Sequence, residues 1–113
     1  MWSTATSGFP AAYARAFAPA TPTLISSFAV FLMAKGFDQL RMNVAYAGEN
    51  VKVCGSHGGL SIGEDGPSQQ SVEDLALMCA LPGFAVIHPA DEFAARALVH
   101  RMAEHNGPCY MRT

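Results

Sequence analysis

Four short apolar runs alternate with helix-patterned segments along this chain: Thr23-Leu24-Ile25, Val51-Lys52-Val53-Cys54, Phe84 to Ile87, and Cys109-Tyr110-Met111. Such alternation implies a three-layer α/β fold, a parallel sheet with helices on both faces. Ser26 or Ser27 is placed to cap a helix beginning near Phe28, along which Met33, Phe37, Leu40 and Val44 recur at helical spacing. Phe28, Phe31 and Leu32 add a second apolar patch at its start. Ser71, with Asp74 three positions on, makes a capping-box-like start for a helix carrying Val72, Leu75, Ala76 and Cys79. Pro89-Ala90-Asp91 opens a last helix with Ala94, Leu98, Arg101 and His105 along one side, and Asn106-Gly107-Pro108 stops it.

Met1 to Thr21 has a different character, rich in Ala, Pro, Ser and Thr, with Pro10 and Pro19 interrupting any helix longer than Ala11 to Ala18. It reads as an arm over 1–21 ahead of a domain over 22–113. It lacks the basic start and compact apolar block of a secretory signal. With 113 residues, half of them apolar, the chain supports one core and hardly two. A net charge of -2 supplies no footprint for a phosphate backbone, so no nucleic-acid partner is expected. The apolar run from Leu24 to Ala34 is broken by Ser26 and Ser27 and falls short of the ~20 residues a membrane span requires. Cys54, Cys79 and Cys109 are odd in number and sit in apolar surroundings, which reads as buried thiols in a reducing compartment, the cytoplasm. No Cys-x-x-Cys or His-Glu-x-x-His is present, so no metal site is expected within the chain.

Ligands of open parallel sheets bind beyond the carboxyl ends of strands, and there the glycine-rich stretch from Gly55 to Gln70 follows a strand. It is too long and too polar for an ordinary strand-to-helix turn. It carries neither a Gly-Lys-Ser/Thr phosphate loop nor a Gly-x-Gly-x-x-Gly fingerprint. It does offer the His57 imidazole, the adjacent carboxylates Glu64 and Asp65 between Gly63 and Gly66, and the amides of Gln69 and Gln70, a set suited to a hydroxylated or anionic small molecule. Spacing alone leaves a second reading open: glycines that permit positive torsions, solvated carboxylates, and an imidazole bonded to a neighbouring carbonyl. Phe28 and Phe31 fit a core as well as an aromatic platform, Arg112 fits a charged strand end, and Arg41 a helix-face ion pair.

The heptad-length string Gly63-Glu64-Asp65-Gly66-Pro67-Ser68-Gln69, preceded by Ser56-His57 and followed by Glu73-Asp74-Leu75-Ala76, closely resembles the pyrimidine-binding domain of the transketolase family. The likeness runs from Ser27-Phe28-Ala29-Val30-Phe31 through Asp38-Gln39-Leu40-Arg41 and Asn43-Val44-Ala45-Tyr46 to Pro89-Ala90-Asp91, and ends with Gly107 to Thr113. It covers Pro22 to Thr113. The resemblance implies thiamine diphosphate as coenzyme, bound with a divalent metal such as Mg between this domain and a diphosphate-binding domain or subunit, usually across an interface in a homo- or hetero-oligomer. It implies transfer of a two-carbon ketol unit between sugar phosphates. It places Phe28 and Phe31 on the aminopyrimidine ring, His57, Asp65 and Gln69 at the sugar as catalytic and substrate-binding residues, and Arg112 near its phosphate.

Two departures stand out. Many members carry His where Gln69 stands, although Pro-Ser-Gln resembles the animal-type form. More seriously, the family's coenzyme-activating Glu falls at or near Thr4, and no carboxylate precedes Asp38. The proline-interrupted segment from Met1 to Ala20 also differs from the strand and helix of the family, which points to a truncated or frame-shifted reading joined near Pro19 to Thr21. The expectation is a fragment or subunit that is inactive alone, with the metal and diphosphate held by a partner domain. The alternatives are a non-catalytic assembly or regulatory module of the same fold, and a related enzyme such as deoxyxylulose-phosphate synthase or a ketoacid dehydrogenase E1 beta subunit.

Overall fold

The computed structural model describes residues 3–5 and 22–113. Its elements are β1 (Ser3–Ala5), β2 (Thr23–Phe28), α1 (Ala29–Gln39), a π-helical continuation (Leu40–Ala45), β3 (Val51–Ser56), a 3-10 turn (Gly63–Asp65), α2 (Asp74–Cys79), β4 (Ala85–Ile87), α3 (Glu92–Glu104) and β5 (Cys109–Arg112). The five described strands pair in the order β1-β2-β3-β5-β4, and every pairing is parallel. The expected α/β architecture is present. The arm over 1–21 contributes β1, a strand not foreseen there; the tempting helix Ala11 to Ala18 lies outside the described residues.

Alternation along the strands divides the sheet's side chains between two cores. Ile25, Val53, Tyr110 and Val86 stand in register across four strands and pack against Leu32, Met33, Leu40 and Val44 from α1 and its continuation, Met78 from α2, and Leu81 just after it. The intervening residues Leu24, Cys54, Cys109, Met111, Ala85 and Ile87 meet Leu98 and Met102 of α3 on the opposite face. The chain order explains the split. Strand β3 leads over β5 to β4 by way of α2, and β4 returns to β5 by way of α3, so crossovers of one hand place the two helices on opposite faces.

Several local expectations are corrected. Ser26 and Ser27 do not cap a helix, because they belong to β2, where Ser26 pairs with Cys54 and Ser27 with Gly55. The ladder satisfies their backbone, and α1 starts at Ala29 without a side-chain cap. Helix α2 begins at Asp74, later than expected, which turns Val72, Ala76 and Cys79 outward and brings Asp74 and Met78 inside. The capping box does not form. Strand β4 is an edge strand and only half-buried. In α3, Asp91 does cap, accepting from the Ala94 amide at 2.7 Å, but Met102 is the buried residue while Arg101 and His105 are exposed. The three thiols are free, yet only Cys109 is buried; Cys54 is half-buried and Cys79 exposed.

At the amino end of the sheet Lys52 is fully buried. Its ammonium donates to Asn50 Oδ1 at 2.6 Å, to the His105 carbonyl at 2.7 Å and to the Gly107 carbonyl, which ties β3 to the end of α3. A cation there also meets the partial negative charge of the helix terminus. Burial nonetheless pushes the Lys52 ammonium below its ordinary value, against a smaller opposing effect of Cys109.

Candidate functional site

The carboxyl ends of β2, β3 and β5 bring together Phe28, Ser56 with the following His57, and Arg112. These are distant in sequence and become neighbours because parallel strands deliver all their carboxyl ends to one edge. Phe28 closes β2, and Phe31 lies one turn into α1. Their rings stack at 5.7 Å between centroids with 4° between planes. Phe31 is 37% exposed, so the pair is not a core contact, and Lys35 Nζ sits 5.7 Å from the Phe31 centroid. The His57 ring approaches Phe28 to 4.3 Å at 36°.

His57 has φ 58, the left-handed region that a non-glycine residue adopts at a cost. Its Nδ1 lies 2.9 Å from Ser56 Oγ. The tilted ring contact with Phe28 and the pairing of Gly58 and Gly59 with Ser71 hold the turn in place, and the Gly59 amide donates to the Ser71 carbonyl at 2.6 Å.

Arg112 lies across that turn. A Cβ on Gly58 would overlap Arg112 Nε and lie 2.7 Å from Cζ and 2.8 Å from Nη2. Gly58 is therefore glycine because the guanidinium occupies the space a side chain would need. Arg112 Nη2 donates to the Ser71 carbonyl at 3.3 Å, and Nε faces Asp74 Oδ2 at 3.5 Å. The same Asp74 oxygen accepts from the Tyr110 hydroxyl at 2.7 Å. Tyr110 and Asp74 are fully buried. Burial drives the Tyr110 phenol far above its usual value, and the hydrogen bond to Asp74 adds in the same direction.

The remaining loop residues stand apart. Glu64 and Asp65 are exposed on the 3-10 turn, which Gly66 leaves at φ 74. The turn is held by Gly66 N donating to Gly63 O at 3.1 Å and Gln69 N to Gly66 O at 3.2 Å. The Gln69 Oε1 accepts from the adjacent Ser68 hydroxyl, and Gln70 Nε2 donates to Leu60 O at 3.2 Å. Among the described residues no hydrogen bond joins the Asp65 or Gln69 side chain to His57 or Arg112. Phe28, Phe31 and His57 thus form one cluster, Arg112 belongs to a buried polar one, and Asp65 and Gln69 line the loop between. Arg41 makes an exposed helix-face pair with Asp38 at 2.7 Å.

Asp74 and Tyr110 were not singled out from sequence as site residues. The sequence offers Asp74 only as a member of a capping-box pattern, and its inward direction becomes visible once the helix is placed.

A family described as the transketolase pyrimidine-binding domain matches residues 4–113. A Methanocaldococcus jannaschii protein described as a transketolase C-terminal section is 40% identical over 87 residues, 77% of this chain and 28% of that protein. Human transketolase is 44% identical over 93 residues, 82% of this chain and 15% of its own length. Among solved structures, a split-gene transketolase in the form of an inactive beta4 tetramer aligns with a TM-score of 0.79 and 37% identity, over 91% of this chain and 32% of that one. Leishmania mexicana transketolase aligns with a TM-score of 0.67 at 26% identity, over 81% of this chain and 14% of that one. The chain spans 28% and 15% of the length of the two curated relatives.

Proposed function

Because the chain belongs to the transketolase pyrimidine-binding domain family, we propose that it supplies the pyrimidine-binding half of a thiamine diphosphate site for ketol transfer between sugar phosphates. The observation that carries this reading is the stacked Phe28–Phe31 pair, open to solvent at Phe31 and flanked by His57. A flat apolar step of this kind fits a flat heteroaromatic ring. When bound, the coenzyme supplies the nucleophilic carbon for two-carbon transfer, and the protein's part is to bind and orient.

The residues of this chain then take complementary tasks. Phe28 and Phe31 carry the aminopyrimidine. His57, Asp65 and Gln69 reach the hydroxyls of the sugar, His57 from the turn that follows β3, beside Phe28. Arg112 faces the sugar's phosphate, for which its planar fork of donors is suited. Among the described residues no three His, Cys, Asp or Glu side chains gather to hold an ion. On this reading the diphosphate and a divalent metal such as Mg are held by a diphosphate-binding domain or subunit, with the site completed in a homo- or hetero-oligomer. The chain alone is inactive on this reading, as the neighbouring beta4 tetramer is described to be. Among the described residues no helix is long and apolar enough to cross a membrane.

The test mixes the full chain with a diphosphate-binding transketolase partner, titrates thiamine diphosphate by calorimetry and assays ketol transfer. Saturable binding and transfer that need both chains support the reading. Phe31→Ala is expected to weaken coenzyme binding about tenfold, the scale of losing an aromatic face. A second reading, a non-catalytic assembly module, is favoured by the absence of any carboxylate before Asp38. It predicts association of the two chains without saturable coenzyme binding.

A further inference from the structure

We propose that Asp74 is a positioning residue: with Tyr110 it forms a buried anchor that fixes the Arg112 guanidinium across Gly58 and Gly59 and so sets how Arg112 meets the anionic end of the substrate. This deepens the reading above and rests on it. A carboxylate is rarely buried outright, yet Asp74 is fully so and is turned toward the sheet rather than onto its helix's own amides. Its Oδ2 receives the Tyr110 hydroxyl and faces Arg112 Nε, while Oδ1 has no partner among the described residues. An incompletely satisfied buried charge is poor material for stability alone.

The guanidinium's donors divide accordingly. Nε faces Asp74 and Nη2 faces the Ser71 carbonyl, leaving Nη1 without a partner among the described residues. Arg112 is thereby locked on one edge by the protein, with 16% of its side chain exposed. Locking it beforehand removes rotamer freedom that a long cation otherwise loses on binding an anion.

The experiment follows the Arg112 Nε–H resonance in the 15N-labelled full chain, in wild type, Asp74→Asn and Tyr110→Phe. Solvent exchange of that proton is expected to quicken about tenfold in Asp74→Asn and about threefold in Tyr110→Phe, as the charge-assisted contact is lost or loosened. In complex with a diphosphate-binding partner, Asp74→Asn should raise KM for a phosphorylated ketose about tenfold and leave KM for the same ketose without phosphate within about twofold. Unchanged exchange in both variants, or an equal rise of KM for both ketoses, overturns the proposal. If Asp74→Asn does not fold, Tyr110→Phe carries both measurements. If the wild-type pair transfers no ketol unit, the functional reading fails while the anchor is decided by inorganic phosphate titrated into the chain: affinity about tenfold weaker in Asp74→Asn upholds it, and equal affinity overturns it.

Discussion

Replacing Gly58 by alanine should be destabilising in the wild type and harmless once Arg112 is removed. The added Cβ would overlap Arg112 Nε and crowd Cζ and Nη2. The guanidinium must then swing away, forfeiting its 3.3 Å bond to the Ser71 carbonyl and its 3.5 Å approach to Asp74. Hydrogen bonds to charged groups contribute about 1.5–3 kcal/mol, and breaking a buried pair costs about 3–5 kcal/mol. Both contacts are at the long end of their ranges and Arg112 is partly exposed, so the lower half applies, about 2–3 kcal/mol. Gly58 has no positive φ, so alanine itself is tolerated there and should stabilise by about 0.4–1 kcal/mol through the unfolded chain. In an Arg112→Ala background the substitution therefore changes sign. Urea denaturation of the four chains at one fixed concentration reads the cycle; with a slope of about 1.5 kcal/mol/M, the net loss of about 1–2.6 kcal/mol lowers the midpoint in the wild-type background by roughly 0.7–1.7 M. Equal costs of Gly58→Ala in both backgrounds would refute the reasoning.

Tyr110→Phe should cost about 1.5–3 kcal/mol near neutral pH, because the buried Asp74 oxygen loses its donor; thermal denaturation checks it. The Tyr110, Cys54 and Cys109 values are all raised by burial, so the unfolded chain releases these protons first. Stability held at lower pH is then lost as pH rises above about 9 for the thiols and about 10 for the phenol. Lys52, whose value is lowered, acts oppositely below 10.5. Tyr110→Phe should flatten the decline above pH 10 in denaturation measured against pH; an unchanged slope contradicts the assignment. Lys52→Met leaves the His105 and Gly107 carbonyls without their donor and should cost about 2–4 kcal/mol, with hydrogen exchange rising first at the end of α3.

The regular parts of this fold were legible because two-residue and helical periods are local properties. Val53 and Tyr110 read as strand residues, and Met33, Leu40 and Val44 as one helix face, and both patterns survive in the structure. What failed depended on partners far along the chain. Ser26 and Ser27 carry the chemistry of caps, but β3 lies beside them and claims their backbone. Asp74 matches a capping box until Tyr110, thirty-six positions away, supplies a better donor at 2.7 Å. Lys52 counted only as a charge inside an apolar run, since its acceptors at 105 and 107 lie beyond a whole helix. The positive φ of His57 was equally hidden, because even for a residue type enriched there it is the minority conformation. The loop's residues were recognisable by their identity, whereas their division into an aromatic cluster and a buried polar one required three strand ends in one place.

The ammonium at one end of β3 and the imidazole at the other lie some five residues apart, roughly 16 Å along an extended strand at ~3.3 Å per residue. Effects at separations beyond about 7–10 Å generally add rather than interact. The same strand therefore carries two independently adjustable settings. On the proposed reading of the site, replacements around Asn50 and Lys52 raise or lower robustness without disturbing the ligand end, and changes near Ser56 adjust that end against an unaltered foundation.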